Sequence, residues 1–205
     1  MHMSPKIVDR ENKRNEILIA AIRVFARQGV SRTKMIDIAH EAGIGKGTVY
    51  EYYKSKDEIF YESFRYFMQK TDDIIFKRLN EIKDPVARLE GYIDGWLESM
   101  SDSIDLVAIM MDYWAEGIRA KNEDSIFNLK KIYAEYRNAI SVLLNEGIAK
   151  KKFKTVNTKI TASILIGMLD GIALQWIMDR KLFRFNEVSE AVKNSFIKGL
   201  LTNEI

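Results

Sequence analysis

Apolar residues recur at helical spacing from near the start of the chain. Between residues 10 and 28 they form one stripe: Ile17, Leu18, Ala21, Ile22, Val24 and Phe25. This spacing predicts a first helix over 10–28, and Gly29 is the residue that ends it. Residues 1–9 lack the pattern, so we expect them to form a short disordered arm.

The next stretch, 31–56, predicts two short helices separated by a tight turn. The apolar face of the first comprises Met35, Ile36, Ile38, Ala39 and Ala42. Thr33 is a suitable N-cap, because its hydroxyl can accept from an amide of the first turn. Gly43 stands where a helix end needs a residue that tolerates positive φ.

The second short helix is predicted over 46–53. Val49 and Tyr53 are four residues apart and can face inward, which leaves the polar and aromatic side chains outward: Lys46, Thr48, Tyr50, Glu51 and Tyr52. Such an exposed row on a short helix after a turn is typical of a DNA-recognition helix.

Beyond residue 55 the pattern stays helical. Ser55 and Glu58 form a capping box that starts a helix running to about residue 82, and Asp84-Pro85 starts the next. Further helices are predicted at about 85–101, 104–119, 122–149, 157–180 and 187–202. No strand alternation is present, so the predicted fold is all-α with about nine helices.

The predicted helix 157–180 is apolar on nearly every side, which requires burial on both sides. Gly167 and Gly171 lie four residues apart on it and would admit another helix closely. We therefore expect a dimer interface built by the last two helices, comprising Ile164, Gly167, Met168, Gly171, Val192, Phe196 and Leu200. No run of about 18 uninterrupted apolar residues was identified, and no membrane span is expected.

Charge divides the chain unevenly. Residues 1–56 contain 11 Lys/Arg and 6 Asp/Glu, a net of +5, whereas residues 57–205 contain 21 and 23, a net of −2. A basic surplus beside a helix-turn-helix pattern favours contact with DNA phosphates. The absence of cysteine fits a reducing cytoplasm.

Catalytic and metal chemistry has few side chains available. His2 and His40 are the only histidines and there is no cysteine, so neither a histidine-based metal site nor a thiolate nucleophile can be built. We predict no enzymatic activity, no metal and no cofactor.

The 31–56 segment resembles the DNA-binding domain of the TetR family of bacterial repressors. The matching residues, in register, are Gly29, Thr33, Met35, Ile38, Ala39, Ala42, Gly43, Ile44, Lys46, Gly47, Thr48, Val49, Tyr50, Tyr52, Tyr53, Ser55 and Lys56. Three residues depart from the family pattern: Gly45 replaces a capping Ser, Tyr53 replaces Phe, and Lys34 replaces a small hydroxyl residue.

The resemblance implies a helix-turn-helix domain over 1–55 and a larger ligand-binding and dimerisation domain over 56–205. It implies a homodimer that binds a palindromic double-stranded operator and responds to a small-molecule inducer. We expect Lys46, Thr48, Tyr50 and Tyr52 to lie in the DNA groove. Thr33, Lys34 and Lys56 are expected on phosphates, and Gly45 and Gly47 complete the predicted DNA-binding set.

For the inducer we expect an elongated apolar molecule such as a fatty acid or acyl thioester. Its predicted pocket comprises Trp96, Met100, Met110, Met111, Trp114, Tyr133, Tyr136, Met168 and Trp176, because Met and aromatic side chains line adaptable cavities. Ordinary core packing explains the same residues equally well.

Two alternatives stay open. A multidrug-type regulator would bind cationic or aromatic compounds, with Asp112, Glu116 and Asp170 as counter-charges. A helical ligand-binding or adaptor protein would have lost DNA binding, and the missing cap at Gly45 favours that alternative.

Overall fold

The structure is a computed structural model that describes residues 5–119 and 128–202. These residues form ten helices and no β-strand, apart from an isolated bridge between Phe153 and Leu201. The all-α prediction is confirmed, and the count exceeds the predicted nine because the segment 104–119 is divided into two helices.

The first seven helices occupy the described residues up to Arg119. They are α1 (Pro5–Gln28), α2 (Met35–Glu41), α3 (Lys46–Tyr52), α4 (Lys56–Leu79), α5 (Pro85–Ser101), α6 (Ile104–Ala108) and α7 (Met110–Arg119). The predicted arm over 1–9 is wrong where it is described, because α1 already begins at Pro5. Proline suits the first helical position, where its missing N–H removes no hydrogen bond.

The remaining helices are α8 (Leu129–Ala149), α9 (Thr158–Met178) and α10 (Phe185–Val192). The start of the predicted helix 122–149, at 122–127, lies outside the described residues. The helix α10 continues through one π-helical turn, Lys193–Ile197, into a last α-turn, Lys198–Leu200.

Two predicted starts after residue 54 are confirmed in atomic detail. The amide of Glu58 donates to Ser55 Oγ at 3.1 Å, although the Glu58 carboxylate accepts from the Lys54 amide rather than from that of Ser55. Asp84 caps α5 through a 2.9 Å bond from the Ala87 amide, with Pro85 at the first helical position.

The chain divides into two compact units. The first contains α1 to α3, α4 up to Gln69, and α6 with α7; the second contains α4 from Lys70, α5, and α8 to α10. This grouping rests on compactness, whereas the predicted division between residues 55 and 56 rests on function and stays a prediction.

The core of the first unit joins α1 to α4 and α7. The ring of Phe60 lies edge-on to Phe25 at 5.9 Å and stacks on Tyr113 at 4.6 Å. The hydroxyls of Ser63 and Tyr113 share a buried 2.7 Å hydrogen bond. The three-helix head therefore packs on α4, as expected for a motif too small to bury its own core.

The core of the second unit lies among α5, α8, α9 and α10. Its fully buried members include Leu89, Ile93, Ile140, Leu144 and Leu165. Lys193 fixes the start of the π-turn to α5 through a 2.8 Å ion pair with Asp94. The turn after α8 is closed by Phe153, which packs on Gly147.

The helix α9 is long and apolar enough to cross a membrane, with a mean hydropathy of 1.6, and is the sole described helix that meets this test. Lys159 and Asp170 interrupt the apolar sequence of α9, so no uninterrupted run of about 18 apolar residues is present there, and the expectation of no membrane span stays a prediction. One-third of the relevant window is buried inside the protein, and α9 packs along α8.

Candidate DNA-binding surface and effector region

The turn between α2 and α3 sets the position of the recognition helix. Gly43 adopts φ +64°, as its sequence position predicts, and the amide of Ile44 returns to the Ala39 carbonyl at 3.0 Å. Gly45 is the N-cap of α3 with extended backbone at φ −70°, and it has no side chain to cap the helix. The first backbone amides of α3 therefore have no side-chain cap, and they can donate to solvent or to a phosphate.

The two faces of α3 differ as predicted. Val49 is fully buried and Tyr53, the C-cap residue, is 1% exposed. Tyr50 is 47% exposed, and its ring lies 5.7 Å from the ammonium of Lys46. The remaining predicted contact residues of α3 are exposed or half-buried: Lys46, Gly47, Thr48 and Tyr52. The outward face thus presents hydroxyl, ammonium and aromatic groups to one side.

Thr33 is not the N-cap of α2. The cap is Lys34, whose amide donates to Asp37 Oδ2 at 2.8 Å, so a carboxylate from the first turn satisfies the helix start. Thr33 is 2% exposed, and its hydroxyl donates to the Gly29 carbonyl at 2.8 Å. A phosphate contact by Thr33 would require that bond to be broken, whereas Lys34 is exposed.

Lys56 is half-buried at the start of α4. Its ammonium donates to the carbonyls of Val30 and Ser31, at 2.8 and 3.4 Å. The side chain therefore holds the turn that precedes α2, a role distinct from the predicted phosphate contact.

Arg14 is a residue of this region that sequence reasoning missed. Its guanidinium lies 4.5 Å from the ring centre of Tyr53, donates to the Tyr52 carbonyl at 3.2 Å and lies 3.5 Å from Glu58. In return, the hydroxyl of Tyr53 donates to the Arg14 carbonyl at 3.1 Å. Burial raises the pKa of Tyr53 to about 12, although Arg14 opposes the shift. Arg14 thus ties the end of α3 to α1 and α4, and no local motif signals a pairing across 38 residues.

The predicted inducer residues belong to both units. In the first unit Met110 is buried, Trp114 is half-buried and Met111 is exposed. Glu116, a predicted counter-charge, is exposed and forms a surface ion pair with Arg119 at 2.6 Å. Of the two alternative counter-charges on α7, Glu116 is therefore solvated, whereas Asp112 is half-buried.

In the second unit one predicted residue, Tyr133, contacts a carboxylate. Trp96, Tyr133, Tyr136 and Met168 are half-buried, while Met100 and Trp176 are buried. The hydroxyl of Tyr133 donates to Asp170 Oδ2 at 2.7 Å. The ring of Trp176, near the end of α9, instead lies 4.8 Å from that of Phe185 at a tilt of 46°.

Asp170 is the titratable group of this cluster. Burial raises the pKa of Asp170 above that of an ordinary carboxyl group, and the hydrogen bond from Tyr133 opposes the rise. Burial also raises the pKa of Tyr92 and of Tyr136, helped by the negative charges of Asp72 and Asp170. An acidic, aromatic-rich environment therefore exists inside the second unit.

The predicted dimer residues divide into two groups. Ile164 is 53% exposed, Gly167 is exposed, and Met168, Gly171 and Phe196 are half-buried. Val192 and Leu200, by contrast, are buried in the core of their own unit. Their side chains point inward because the π-turn and the packing on α5 set the rotation of α10, which apolar spacing alone does not reveal.

Two sequence families match this chain. Residues 17–62 match the family described as "Bacterial regulatory proteins, tetR family", and residues 60–199 match "YsiA-like protein, C-terminal region". The second match alone covers more than half of the chain. The chain belongs to the TetR family of bacterial transcription regulators. It is therefore a helix-turn-helix transcription regulator, and α3 is the second helix of that motif.

Similar TetR-family proteins extend over most of the chain. The chain is 32% identical over 177 residues to the uncharacterized HTH-type transcriptional regulator YfiR of Bacillus subtilis, covering 83% of each chain. It is 22% identical to the fatty acid metabolism regulator protein of the same organism, covering 90% of this chain and 94% of the relative. These relatives are transcription regulators and not enzymes.

Solved structures share the fold. A transcriptional regulator from Saccharomonospora viridis in complex with choline has a TM-score of 0.82 at 22% identity, covering 94% of this chain and 100% of that one. FadR from Bacillus subtilis in complex with stearoyl-CoA has a TM-score of 0.75 at 20% identity, covering 90% and 98%. At these identities the likeness establishes the TetR-family fold alone.

Metal chemistry has no site in the described part of the chain. No group of three or more His, Asp or Glu side chains is placed to hold an ion there.

Proposed function

We propose that the chain is a cytoplasmic repressor that binds a palindromic operator as a homodimer and leaves it when a small molecule binds. The observation that supports this proposal best is the outward face of α3, where Lys46 and Tyr50 stand exposed beside Thr48. Lysine can donate to guanine in the major groove, and threonine and tyrosine hydroxyls can reach bases or phosphates.

A mobility-shift titration on the promoter of the chain's own operon tests the proposal. We expect specific binding that survives an excess of random DNA at moderate salt, and weaker binding for Lys46→Ala. Equal affinity for promoter and random DNA, with no effect of Lys46→Ala, would instead support the adaptor alternative in which Gly45 reflects a lost DNA-binding function.

The dimer proposal rests on the uncovered face of α9. Ile160, Ile164 and Met178 are exposed on it, and Gly167 and Gly171 lie on the same face, because the spacings of 3, 4 and 7 residues keep to one side of a helix. No atom lies within 4 Å of a Cβ built on either glycine. A flat apolar stripe of this kind suits a second copy crossing closely at the glycines.

Substitution of Gly167 tests this interface. Leucine at position 167 meets open space within its own chain, so the fold should survive while the crossing with a second copy is blocked. We expect a monomer by ultracentrifugation for Gly167→Leu and a dimer for Ala139→Leu, a matched control at an exposed position of α8. A Gly167→Leu protein that remains dimeric would exclude this face.

For the inducer, we propose a fatty acid or acyl thioester. Support comes from the half-buried apolar and aromatic side chains of the second unit, from the fatty acid metabolism regulator among the relatives, and from the stearoyl-CoA complex of a similar fold. Release requires only that the ligand binds the non-DNA form more tightly, and each 1.4 kcal/mol of difference weakens operator binding about tenfold.

An organic cation is the second candidate, and Asp170 is the observation that favours it. This half-buried carboxylate accepts a hydrogen bond from Tyr133. Its negative charge adds to the burial that raises the pKa of Tyr92 and of Tyr136. A carboxylate among aromatic faces suits a quaternary ammonium through charge and cation–π attraction. The structurally similar regulator in complex with choline shows that this fold accommodates such a ligand.

One titration separates the two candidates. Palmitoyl-CoA, choline and tetraphenylphosphonium are each added to the protein–operator complex, with wild type and Asp170→Asn in parallel. Release by palmitoyl-CoA in both proteins supports the acyl ligand. Release by a cation that Asp170→Asn abolishes supports the cation. Mass spectrometry of compounds that co-purify with the protein adds an unbiased check.

A further inference from the structure

A groove on the second unit has no role in the proposed function. It has a volume of about 610 Å³ and is bounded by the last turns of α4, the start of α5 and the end of α8. The lining residues are Asp72, Ile75, Phe76, Leu79, Asn80, Ile82, Lys83, Arg88, Glu146 and Lys150. None of them belongs to the predicted inducer pocket or to the dimer set.

The middle of the groove is apolar. Ile75, Leu79 and Ile82 form one wall, and Phe76 stands beside them with 70% of its surface exposed. An exposed phenylalanine at the mouth of an apolar concavity is costly in water and gains by covering a ligand. The volume lies within the range of small-molecule sites.

The charges of the groove lie at opposite ends. Asp72 precedes the apolar wall along α4, while Lys83, Arg88 and Lys150 follow it. Glu146 forms ion pairs with both Arg88 and Lys150. Three cations and two carboxylates leave a net charge of +1 on the lining, and this charge is concentrated at the Lys83 end.

One donor at that end lacks an acceptor. The Nε atom of Arg88 is buried and has no hydrogen-bond partner among the described residues, because the guanidinium reaches Glu146 through Nη1. A buried N–H without an acceptor costs free energy, but a ligand in the groove cannot reach this atom while Arg88 keeps its present conformation. The ammonium of Lys83 is exposed and makes no ion pair in the described structure, so it is the donor at this end that a ligand can reach.

We propose that this groove binds a free amphiphilic monoanion, an alkyl carboxylate. Its carboxylate lies near the exposed Lys83 ammonium, while its alkyl chain covers Phe76 and the wall beside it. The single excess positive charge favours a monoanion, and Asp72 at the far end repels a second negative group. This inference goes beyond the proposed function, because it does not require any effect on operator binding.

Methyl NMR of the full chain tests the site directly. Decanoate, kept below its critical micelle concentration, should shift the isoleucine δ1 resonances of Ile75 and Ile82, and decyltrimethylammonium should not. Lys83→Gln should weaken decanoate binding by about three- to tenfold, since it removes a partly solvated charge. Phe76→Ser should weaken it similarly, while Lys77→Gln and Val142→Ser, at exposed positions outside the lining, should change it less than about twofold.

Several outcomes would overturn the proposal. Decanoate that binds without shifting Ile75 and Ile82, or with unchanged affinity in Lys83→Gln and Phe76→Ser, occupies another site. Equal shifts with decyltrimethylammonium would exclude anion selectivity. Binding to phosphatidylglycerol vesicles, but not to free decanoate, would identify a lipid surface as the partner instead. Because operator release is not the readout, failure here leaves the repressor proposal intact, and failure of the repressor proposal leaves this site intact.

Discussion

Two lysines flanking the recognition helix differ in what their ammonium groups contact. Lys46 is exposed at the start of α3, and its ammonium lies 5.7 Å from the ring centre of Tyr50. Lys56 is bonded to two carbonyls of the turn before α2. A phosphate can recruit the first without breaking an internal bond, while recruitment of the second exposes two carbonyls.

Alanine substitutions should therefore separate DNA contact from support of the fold. Lys46→Ala should leave the melting temperature unchanged and reduce the salt slope of operator binding by about 1. Lys56→Ala should destabilise the protein by about 1 kcal/mol, because charge-assisted bonds are lost. Thermal melts and salt-dependent anisotropy measure both effects, and equal melting temperatures for the two variants would contradict this assignment.

Gly147 on α8 shows how one missing side chain fixes a turn. A Cβ at this position would lie 2.0 Å from the ring of Phe153, whose backbone is fixed by the bridge to Leu201. Gly147→Ala should therefore destabilise the protein by about 1–3 kcal/mol through overpacking, despite the better helix propensity of alanine.

Chemical denaturation measures the Gly147 effect against a matched control. Gly199→Ala meets no atom within 4 Å and should be neutral or slightly stabilising. Adding Phe153→Leu to Gly147→Ala should recover part of the loss, because the smaller side chain makes room. A Gly147→Ala protein as stable as Gly199→Ala would show that the turn relaxes freely.

At the element scale, α9 combines a packed side with an uncovered one. Its interior side carries Asp170, whose pKa is raised by burial. The folded protein therefore holds this proton more tightly than the unfolded chain does. The stability that protonated Asp170 contributes is present below the ordinary carboxyl pKa of about 3.9. It is lost as the pH rises through the raised pKa of Asp170 in the folded protein.

Asp170→Asn mimics the protonated carboxyl group at every pH. The difference in melting temperature, variant minus wild type, should consequently grow as the pH increases from about 4 to neutrality. Tyr133→Phe removes the bond that lowers this pKa and should make the pH dependence of stability steeper. A difference that stays constant or shrinks with rising pH would contradict the shift.

The sequence predicted the helix starts, turns and buried faces correctly where they depend on residues close together in the chain. Gly43 has the expected positive φ, Ser55 and Asp84 cap the expected helices, and Val49 faces inward. Thr33 failed as a cap because the choice between it and Asp37 depends on bonds to Gly29 and to Gln28. Competing short-range partners of that kind cannot be ranked from spacing.

Features that depend on packing between residues far apart in sequence could not be predicted from the sequence. Ile109 is buried within one continuous apolar run, and nothing in that run shows the break between α6 and α7. Apolar spacing assigned Val192 and Leu200 to an interface, although both face their own core. The Arg14 contacts and the groove beside Lys83 likewise arise from residues far apart in sequence.

At the scale of the whole molecule, the proposed function consists of three separable events. In this proposal the face of α3 binds DNA, the uncovered side of α9 joins two chains, and a ligand inside the second unit changes operator affinity. A palindromic operator requires the first two together, because two recognition helices must reach two half-sites about one helical turn apart.

Native mass spectrometry of the chain with its own promoter duplex tests this account most directly. We predict duplexes that carry two chains, or a multiple of two, bound in preference to a random duplex of equal length. Addition of the compound that co-purifies, or of palmitoyl-CoA, should return free duplex and ligand-bound dimer. Single chains on the duplex, or equal occupancy of promoter and random DNA, would contradict the central claim that this protein is a dimeric, operator-specific and ligand-released regulator.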